Sequence, residues 1–165
     1  MNITYPGLRL LNRDANMHRF AEKYELGQVL FDERPICGSF ILGEVMHTGR
    51  YAILSNQIDG TENGAFNSEW AVGVLPAGAH FKVLDVYRRL GKVQITLLHL
   101  PDEHWQFFED VSTNVDDLLV EYTRKRFDSC LDGAGAMPAL TDERWHKLCT
   151  HLIGMTDLGM PFALS

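Results

Sequence analysis

The strongest structural signal in the sequence is a β-hairpin in residues 80–99. The runs "HFKVLDVY" and "KVQITLLHL" have the alternation and the β-branched content of strands, and "RRLG" between them fits a tight turn. A turn that pairs Arg88 with Gly91 places His80 directly opposite His99, on an apolar face. A bulge would shift one strand by a residue and separate the two histidines.

Shorter runs of the same kind precede the hairpin, and they predict further strands. They are "QVLF", "ICGSFIL", "RYAILS" and "WAVGVL", with turn signals between them. The segment 56–69 is rich in Gly, Asn and acidic residues and predicts an exposed loop. A hairpin preceded by short strands favours a mostly antiparallel sheet of about five to six strands.

Helical spacing predicts one N-terminal helix and two C-terminal helices. The first is "DANMHRFAEKYELG", with Asp14 as its cap and Gly27 at its end. The second, "STNVDDLLVEYTRKRFDSCLDG", has acids in its first turns and ends at Gly133, and the third is "TDERWHKLCTHLIG". With 132–140 as the interhelix linker, the chain is predicted to be a single α+β domain over 1–165.

Composition excludes several classes of protein. No apolar run approaches the ~20 residues that span a bilayer, and the N-terminus lacks the pattern of a signal peptide. Three cysteines without CxxC spacing argue against a disulfide framework and favour a reducing cytoplasm. A net charge of −7 argues against nucleic acid and against an acidic membrane surface as partners.

The whole net charge lies in one segment. Residues 102–121 carry seven acidic side chains and no Lys or Arg, which leaves 15 acids and 15 bases elsewhere. Aromatic residues lie among these acids, a composition that suits an interface with a basic protein. The predicted partner-binding residues are Asp102, Glu103, Trp105, Phe107, Glu109, Asp110, Asp116, Asp117 and Glu121.

Two readings of this segment stay open. A solvated acidic face is one, because acids near a helix N-terminus need no partner. The other, taken as the main hypothesis, is a non-enzymatic intracellular protein-binding module such as an immunity-type neutraliser, an adaptor or a chaperone, with a basic protein as its partner. A homo-oligomer is a third class, and no cofactor is expected.

An enzyme or ligand-binding domain is the alternative hypothesis. His80, His99 and His104 could line a cleft at the sheet end, and Arg126 lies among apolar positions of its helix as a ligand-binding arginine would. A side chain that extends to solvent near the helix end is the favoured explanation of Arg126. A zinc ion would need three or four groups such as these histidines to converge, and hydrogen bonds of the histidines to backbone or water are the favoured explanation, so no metal is expected. Cys149 falls in an apolar stripe, which favours a core position over a nucleophile.

One short segment resembles a known enzyme family. Residues 69–83, "EWAVGVLPAGAHFKV", resemble the late strand of ADP-ribosyltransferases, in which a Glu precedes a strand, a Pro-Gly turn and an "FKV"-like strand. The family's Ser-Thr-Ser strand and its two-residue-spaced acidic motif do not appear, so no catalytic residue is carried over from the resemblance. Phosphate-binding glycine motifs, GxSxG and HExxH are also absent from the sequence.

Overall fold

The computed structural model describes residues 7–58, 70–101, 105–108, 114–133, 143–149 and 151–164. Within them the chain forms strands and helices in a β-rich first part and a helical second part. The strands are β1 (Arg9–Ala15), β2 (Val29–Asp32), β3 (Ile36–Ser39), β4 (Gly49–Ser55), β5 (Val72–Leu75), β6 (Ala79–Arg89) and β7 (Lys92–Leu100). The helices are α1 (Asn114–Asp132) and α2 (Glu143–Leu148), with 3-10 turns at His18–Lys23 and Trp105–Phe108.

The sheet is mixed and has seven strands, in the order β2-β6-β7-β4-β1-β3-β5. β4 and β7 run parallel, and the other neighbouring pairs run antiparallel. The prediction of an α+β domain with two C-terminal helices is therefore confirmed in outline. The strand number was underestimated because β1 was not predicted: residues 9–13 were assigned to no element, and the N-terminal helix was expected to begin at Asp14.

The predicted N-terminal helix is wrong. Residues 9–15 form β1 and pair along their whole length with β4, and only a 3-10 turn follows at His18–Lys23. The competing signal was a period of two: Leu11, Arg13 and Ala15 all point to one buried face. The helical spacing of the residues after Asp14 was the weaker pattern, because strand pairing in the folded chain outweighs local helix propensity. The third predicted helix is also shorter than expected, since α2 ends at Leu148.

The hairpin is confirmed, but its register differs from the prediction. The two-residue turn lies one position further along the chain, with Arg89 paired to Lys92 and positive φ at Leu90 and Gly91. A bulge between Val83 and Asp85 then moves the register back by one residue. As a result His99 lies opposite Phe81, and the predicted pair of His80 with His99 does not form.

The two faces of the sheet bury different clusters. One face carries the main core, with Tyr51, Phe81 and Ile95 packed against residues 153–155 and the 3-10 turn near Ala21. The opposite face is covered by α1, where Thr123 contacts Thr96 and Gln94 through hydrogen bonds. Among the described residues, no helix combines the length and the apolar character that crossing a bilayer would require.

Candidate functional site

The sheet is split between β1 and β3. These strands pair at a single position, Asn12 with Ser39. Beyond it, Arg13–Ala15 pair only with β4 and Ile36–Gly38 only with β5. The two halves of the sheet therefore diverge, and the opening between them has to be filled by side chains or by another part of the chain.

Residues 151–155, which we call the C-terminal segment, fill this opening. Cys149, just before the segment, packs with Trp70 and Trp145 on one face of the sheet. Ile153 and Met155 pack into the main core on the other face. Cys149 and the C-terminal segment therefore pack on opposite faces of the sheet.

Side chains, rather than strand pairing, bind the backbone of the C-terminal segment. Ile153 N–H donates to Tyr51 Oη (3.2 Å), and Gly154 N–H donates to Asp32 Oδ2 (2.8 Å). The carbonyl groups of four residues accept from Arg13, Arg34 and Tyr24. These acceptors are His151 O (2.9 Å from Arg13 Nη2), Leu152 O (3.1 Å from Arg34 Nη2), Ile153 O (2.7 Å from Tyr24 Oη) and Met155 O, also bonded by Arg34.

Arg13 is the least expected of these groups, because it is 1 % exposed. Its Nη2 lies 3.2 Å from His151 Nδ1 and donates to the carbonyl of the same residue. Its Nε and Nη1 are buried without a hydrogen-bond partner among the described residues, and no described carboxylate pairs with it. A buried guanidinium without a carboxylate is costly, so this arrangement marks Arg13 as a candidate ligand-binding residue.

The imidazole of His151 stays neutral because of where it lies. Burial, followed by the charges of Arg13 and Arg34, lowers its pKa from 6.5 to about 4. Asp32 and Asp157 oppose this shift by a smaller amount. Near neutral pH the ring is therefore an acceptor for the Arg13 guanidinium rather than a second positive charge beside it.

Two tyrosines complete the polar lining of the opening. Tyr24 Oη and Tyr51 Oη are 2.5 Å apart. Burial raises the pKa of Tyr51 to about 12 and that of Tyr24 well above its ordinary value. Both phenols are therefore neutral, and each can donate a hydrogen bond or accept one.

A cavity of about 210 Å3 lies beside His151, on the solvent side of the opening. Its lining includes Asn16, Thr156 and Asp157, so it is polar as well as accessible. A second cavity, between Asn12 and Trp145, measures about 10 Å3 and has room for about one water molecule. Within the described ranges, no group of three or more His, Cys, Asp or Glu side chains is arranged to hold a metal ion.

The predicted histidine cleft is not assembled. His80 stacks on Trp105, with ring centroids 4.8 Å apart, whereas His99 lies on the opposite face and contacts Ser55 Oγ at 2.7 Å. Arg126 is exposed on α1, with its guanidinium over the Tyr122 ring. His104 lies outside the described residues. Burial raises the pKa of the Cys149 thiol to about 11, which agrees with a core position for this cysteine.

The predicted partner-binding residues are only partly described. Asp102, Glu103, Glu109 and Asp110 lie outside the described residues, as does the side chain of Phe107. Trp105 is half-buried against His80, Asp116 is buried 3.9 Å from Lys82 Nζ, and Glu121 pairs with Lys125. Asp117 is exposed. The partner-binding role of this set stays a prediction.

The site residues that sequence reasoning missed are Arg13, Tyr24, Asp32, Arg34 and Tyr51. A usable signal existed for Arg13, because a charged residue between Leu11 and Ala15 interrupts the apolar positions of a period-two run. The other four carry no such signal in the sequence. Their side chains meet at the C-terminal segment only in the folded chain, so the sequence alone does not group them.

Comparison with solved structures places this architecture among known folds. Exoenzyme S of Pseudomonas aeruginosa, in a structure with human 14-3-3 protein beta and bound to carba-NAD, matches with a TM-score of 0.51 at 12% identity, over 71% of this chain and 59% of that one. This chain shares its fold. The ADP-ribosyltransferase HopU1 of Pseudomonas syringae matches with a TM-score of 0.49 at 11% identity, over 56% and 45% of the two chains.

Another bacterial exoenzyme also matches this chain. The C3 exoenzyme of Clostridium limosum gives a TM-score of 0.48 at 12% identity, over 60% of this chain and 62% of that one. This chain spans about half the length of the first structures it matches. No protein-family model matches the sequence, and the search of curated proteins gives no match.

The comparisons overturn the main functional hypothesis. This chain shares its fold with exoenzyme S, which is described as bound to carba-NAD, and that fold is an enzyme fold rather than that of a non-enzymatic binding module. The immunity-type, adaptor and chaperone interpretations were wrong because they treated charge distribution as evidence of function. The alternative hypothesis, an enzyme or ligand-binding domain, agrees better with the fold.

Proposed function

We propose that this chain is an enzyme domain that binds NAD, with the phosphates at Arg13, and transfers ADP-ribose from it. Exoenzyme S, which has the same fold, is described as bound to carba-NAD. Residues 69–83 resemble ADP-ribosyltransferases independently of the fold comparison. In such a transfer, the bond between the ribose and nicotinamide breaks, and an acceptor nucleophile forms a bond to the same ribose carbon.

The buried guanidinium of Arg13 is the observation that carries the proposal. A planar guanidinium presents parallel N–H donors that match phosphate oxygens, and Arg13 Nε and Nη1 have no partner among the described residues. The parallel pairs are Nε with Nη2 and Nη1 with Nη2, so a phosphate bound through either pair would use one of these nitrogens and take Nη2 from His151. A phosphate would supply both the missing acceptors and the missing negative charge. Arg50, the other buried arginine among the described residues, does have a carboxylate partner, because its Nε lies 2.6 Å from Asp14 Oδ1.

The neighbouring phenols add neutral hydrogen-bonding groups to the same place. Because Tyr24 and Tyr51 stay protonated, they can donate to ribose or phosphate oxygens without repelling an anion. The Asp32 carboxylate already accepts from Arg34 and from Gly154 N–H, so it does not supply a free base in this arrangement. Glu69, the first residue of the segment that resembles the enzyme family, lies outside the described residues, and no role is assigned to it.

Calorimetric titration of the full chain with NAD, ADP-ribose and adenosine tests the proposal. We expect NAD and ADP-ribose to bind with dissociation constants of about 1 μM to 1 mM, and adenosine to bind at least about tenfold more weakly because it has no phosphate. Release of nicotinamide from NAD, measured in the same preparation, tests for the reaction. Equal binding of adenosine and ADP-ribose, or no binding of any of the three, would contradict the proposal.

A further inference from the structure

The C-terminal segment occupies the groups that a nucleotide needs. Arg13 donates to His151 through the same guanidinium that we assign to phosphate, and Tyr24 and Tyr51 both bond to Ile153. The bonds of Arg13 to His151 use only Nη2, and each pair of parallel N–H groups that a guanidinium offers a phosphate includes Nη2. A phosphate bound through two parallel N–H groups of Arg13 would therefore compete with His151 for Nη2, and a nucleotide at Tyr24 and Tyr51 would compete with Ile153. The overlap is defined by the hydrogen bonds that Arg13, Tyr24 and Tyr51 make to the segment. It is therefore the same for any dinucleotide that binds there.

We propose that the C-terminal segment is an intramolecular ligand that covers an anion-binding site at Arg13 and has to leave before the anion binds. This inference rests on the proposed function for the identity of the nucleotide, but the covered anion site itself does not depend on that identity. The segment resembles a bound peptide because its backbone is bound by side chains of β1, β2, β4 and the β2–β3 connection, and by Tyr24 directly after the 3-10 turn.

Arg34 is the contact that fixes the segment without touching Arg13. Its Nη2 donates to the carbonyls of Leu152 and Met155, and its Nη1 lies 3.2 Å from the exposed carboxylate of Asp157. Both carboxylate oxygens of Asp32 accept hydrogen bonds from the Arg34 guanidinium and hold it in position. Loss of Arg34 therefore weakens the attachment of the segment while leaving the proposed anion-binding group in place.

The segment also has apolar contacts that keep the open form rare. Ile153 and Met155 are 0 % and 1 % exposed, and opening removes them from the main core. A ligand that binds only the open form has an apparent affinity reduced by the fraction of molecules that are open. Weak binding by the wild-type chain and stronger binding after Arg34 is changed are therefore the expected signature of this arrangement.

Amide hydrogen exchange on the full-length chain tests the proposal. The informative amides are those of Ile153 and Gly154, which donate to Tyr51 and Asp32 inside the opening, with amides of β7 as the reference. We expect R34Q to speed exchange at Ile153 and Gly154 by about tenfold relative to β7. We expect the dissociation constants for carba-NAD and for inorganic pyrophosphate to fall by a similar factor.

Arg89→Gln is the matched control. Arg89 is about as exposed as Arg34. It pairs with Asp128 and Asp132 of α1, and neither of these partners belongs to the C-terminal segment. It should change neither the exchange of Ile153 and Gly154 nor the affinity for either probe. Adding carba-NAD to the wild-type chain should speed exchange at the same two amides, a measurement that needs no variant to fold.

The outcomes separate the two proposals. Faster exchange in R34Q with tighter pyrophosphate binding, but no binding of carba-NAD, supports the covered anion site and contradicts NAD as the ligand. Binding of carba-NAD that leaves Ile153 and Gly154 as protected as before, or more so, supports the nucleotide and overturns the intramolecular ligand. Faster exchange in R34Q without any gain in affinity for either probe also overturns it.

Discussion

Replacement of Arg13 by methionine should weaken NAD binding by at least about 100-fold without a clear loss of stability of the fold. Two charge-assisted hydrogen bonds to phosphate are worth about 1.5–3 kcal/mol each, and their loss corresponds to that factor or more. The unfolding free energy should change by less than about 1 kcal/mol, because removal of a buried guanidinium without a carboxylate offsets the loss of its hydrogen bonds to His151. Calorimetry with NAD and denaturant unfolding measure the two quantities.

Arg9→Met provides the control for this variant. Arg9 lies on the same strand, but it is exposed and its guanidinium lies over the Phe40 ring. It should bind NAD as the wild type does. A purely structural role for Arg13 would produce the opposite pattern, with a clear loss of unfolding free energy and unchanged NAD affinity.

Stability should fall as the pH falls from about 6.5 to about 4, with a contribution that belongs to His151. The pKa of this ring is lowered to about 4 in the folded chain, by burial first and then by Arg13 and Arg34, while the unfolded chain titrates near 6.5. Between these values the unfolded chain binds a proton that the folded chain does not, so acidification favours unfolding. The full shift corresponds to about 3 kcal/mol, and partial exposure of the ring reduces the expected loss to about 1–2 kcal/mol.

His151→Gln isolates this contribution, because its amide oxygen can accept from Arg13 at every pH. Chemical unfolding at pH 7.5 and at pH 4.5 should show a smaller loss of stability for the variant than for the wild type, by about 1–2 kcal/mol. His47, whose pKa is lowered by burial and by His146, is present in both proteins and cancels in the comparison. Parallel pH curves for the two proteins would mean that His151 does not titrate in this way.

The sequence was informative where one physical pattern dominated. Alternating apolar residues predicted β6 and β7, and capping residues together with a charge gradient predicted α1 to within a residue or two. It failed where two patterns competed, as at Asp14, which could cap a helix but instead lies in β1 and pairs with Arg50. The register of the hairpin depended on a bulge at Leu84, for which the local sequence has no distinctive residue.

The candidate site could not be derived from the sequence because it is built from long-range contacts. Arg13 and His151 are 138 residues apart, and Tyr51 and Ile153 are 102 apart. No spacing rule connects such residues, and only the split between β1 and β3 explains why they meet. The acidic segment, by contrast, is conspicuous in the sequence, but its charge says nothing about the fold and led to the wrong class of function.

The most direct test of the account is a crystal structure of the full-length chain with carba-NAD. We expect the phosphate oxygens within about 3 Å of the Arg13 guanidinium, and the backbone of residues 151–155 displaced from Tyr24 and Tyr51. A nucleotide bound elsewhere on the molecule, with Arg13 still bonded to His151, would contradict the central claim that this buried arginine is the phosphate-binding group.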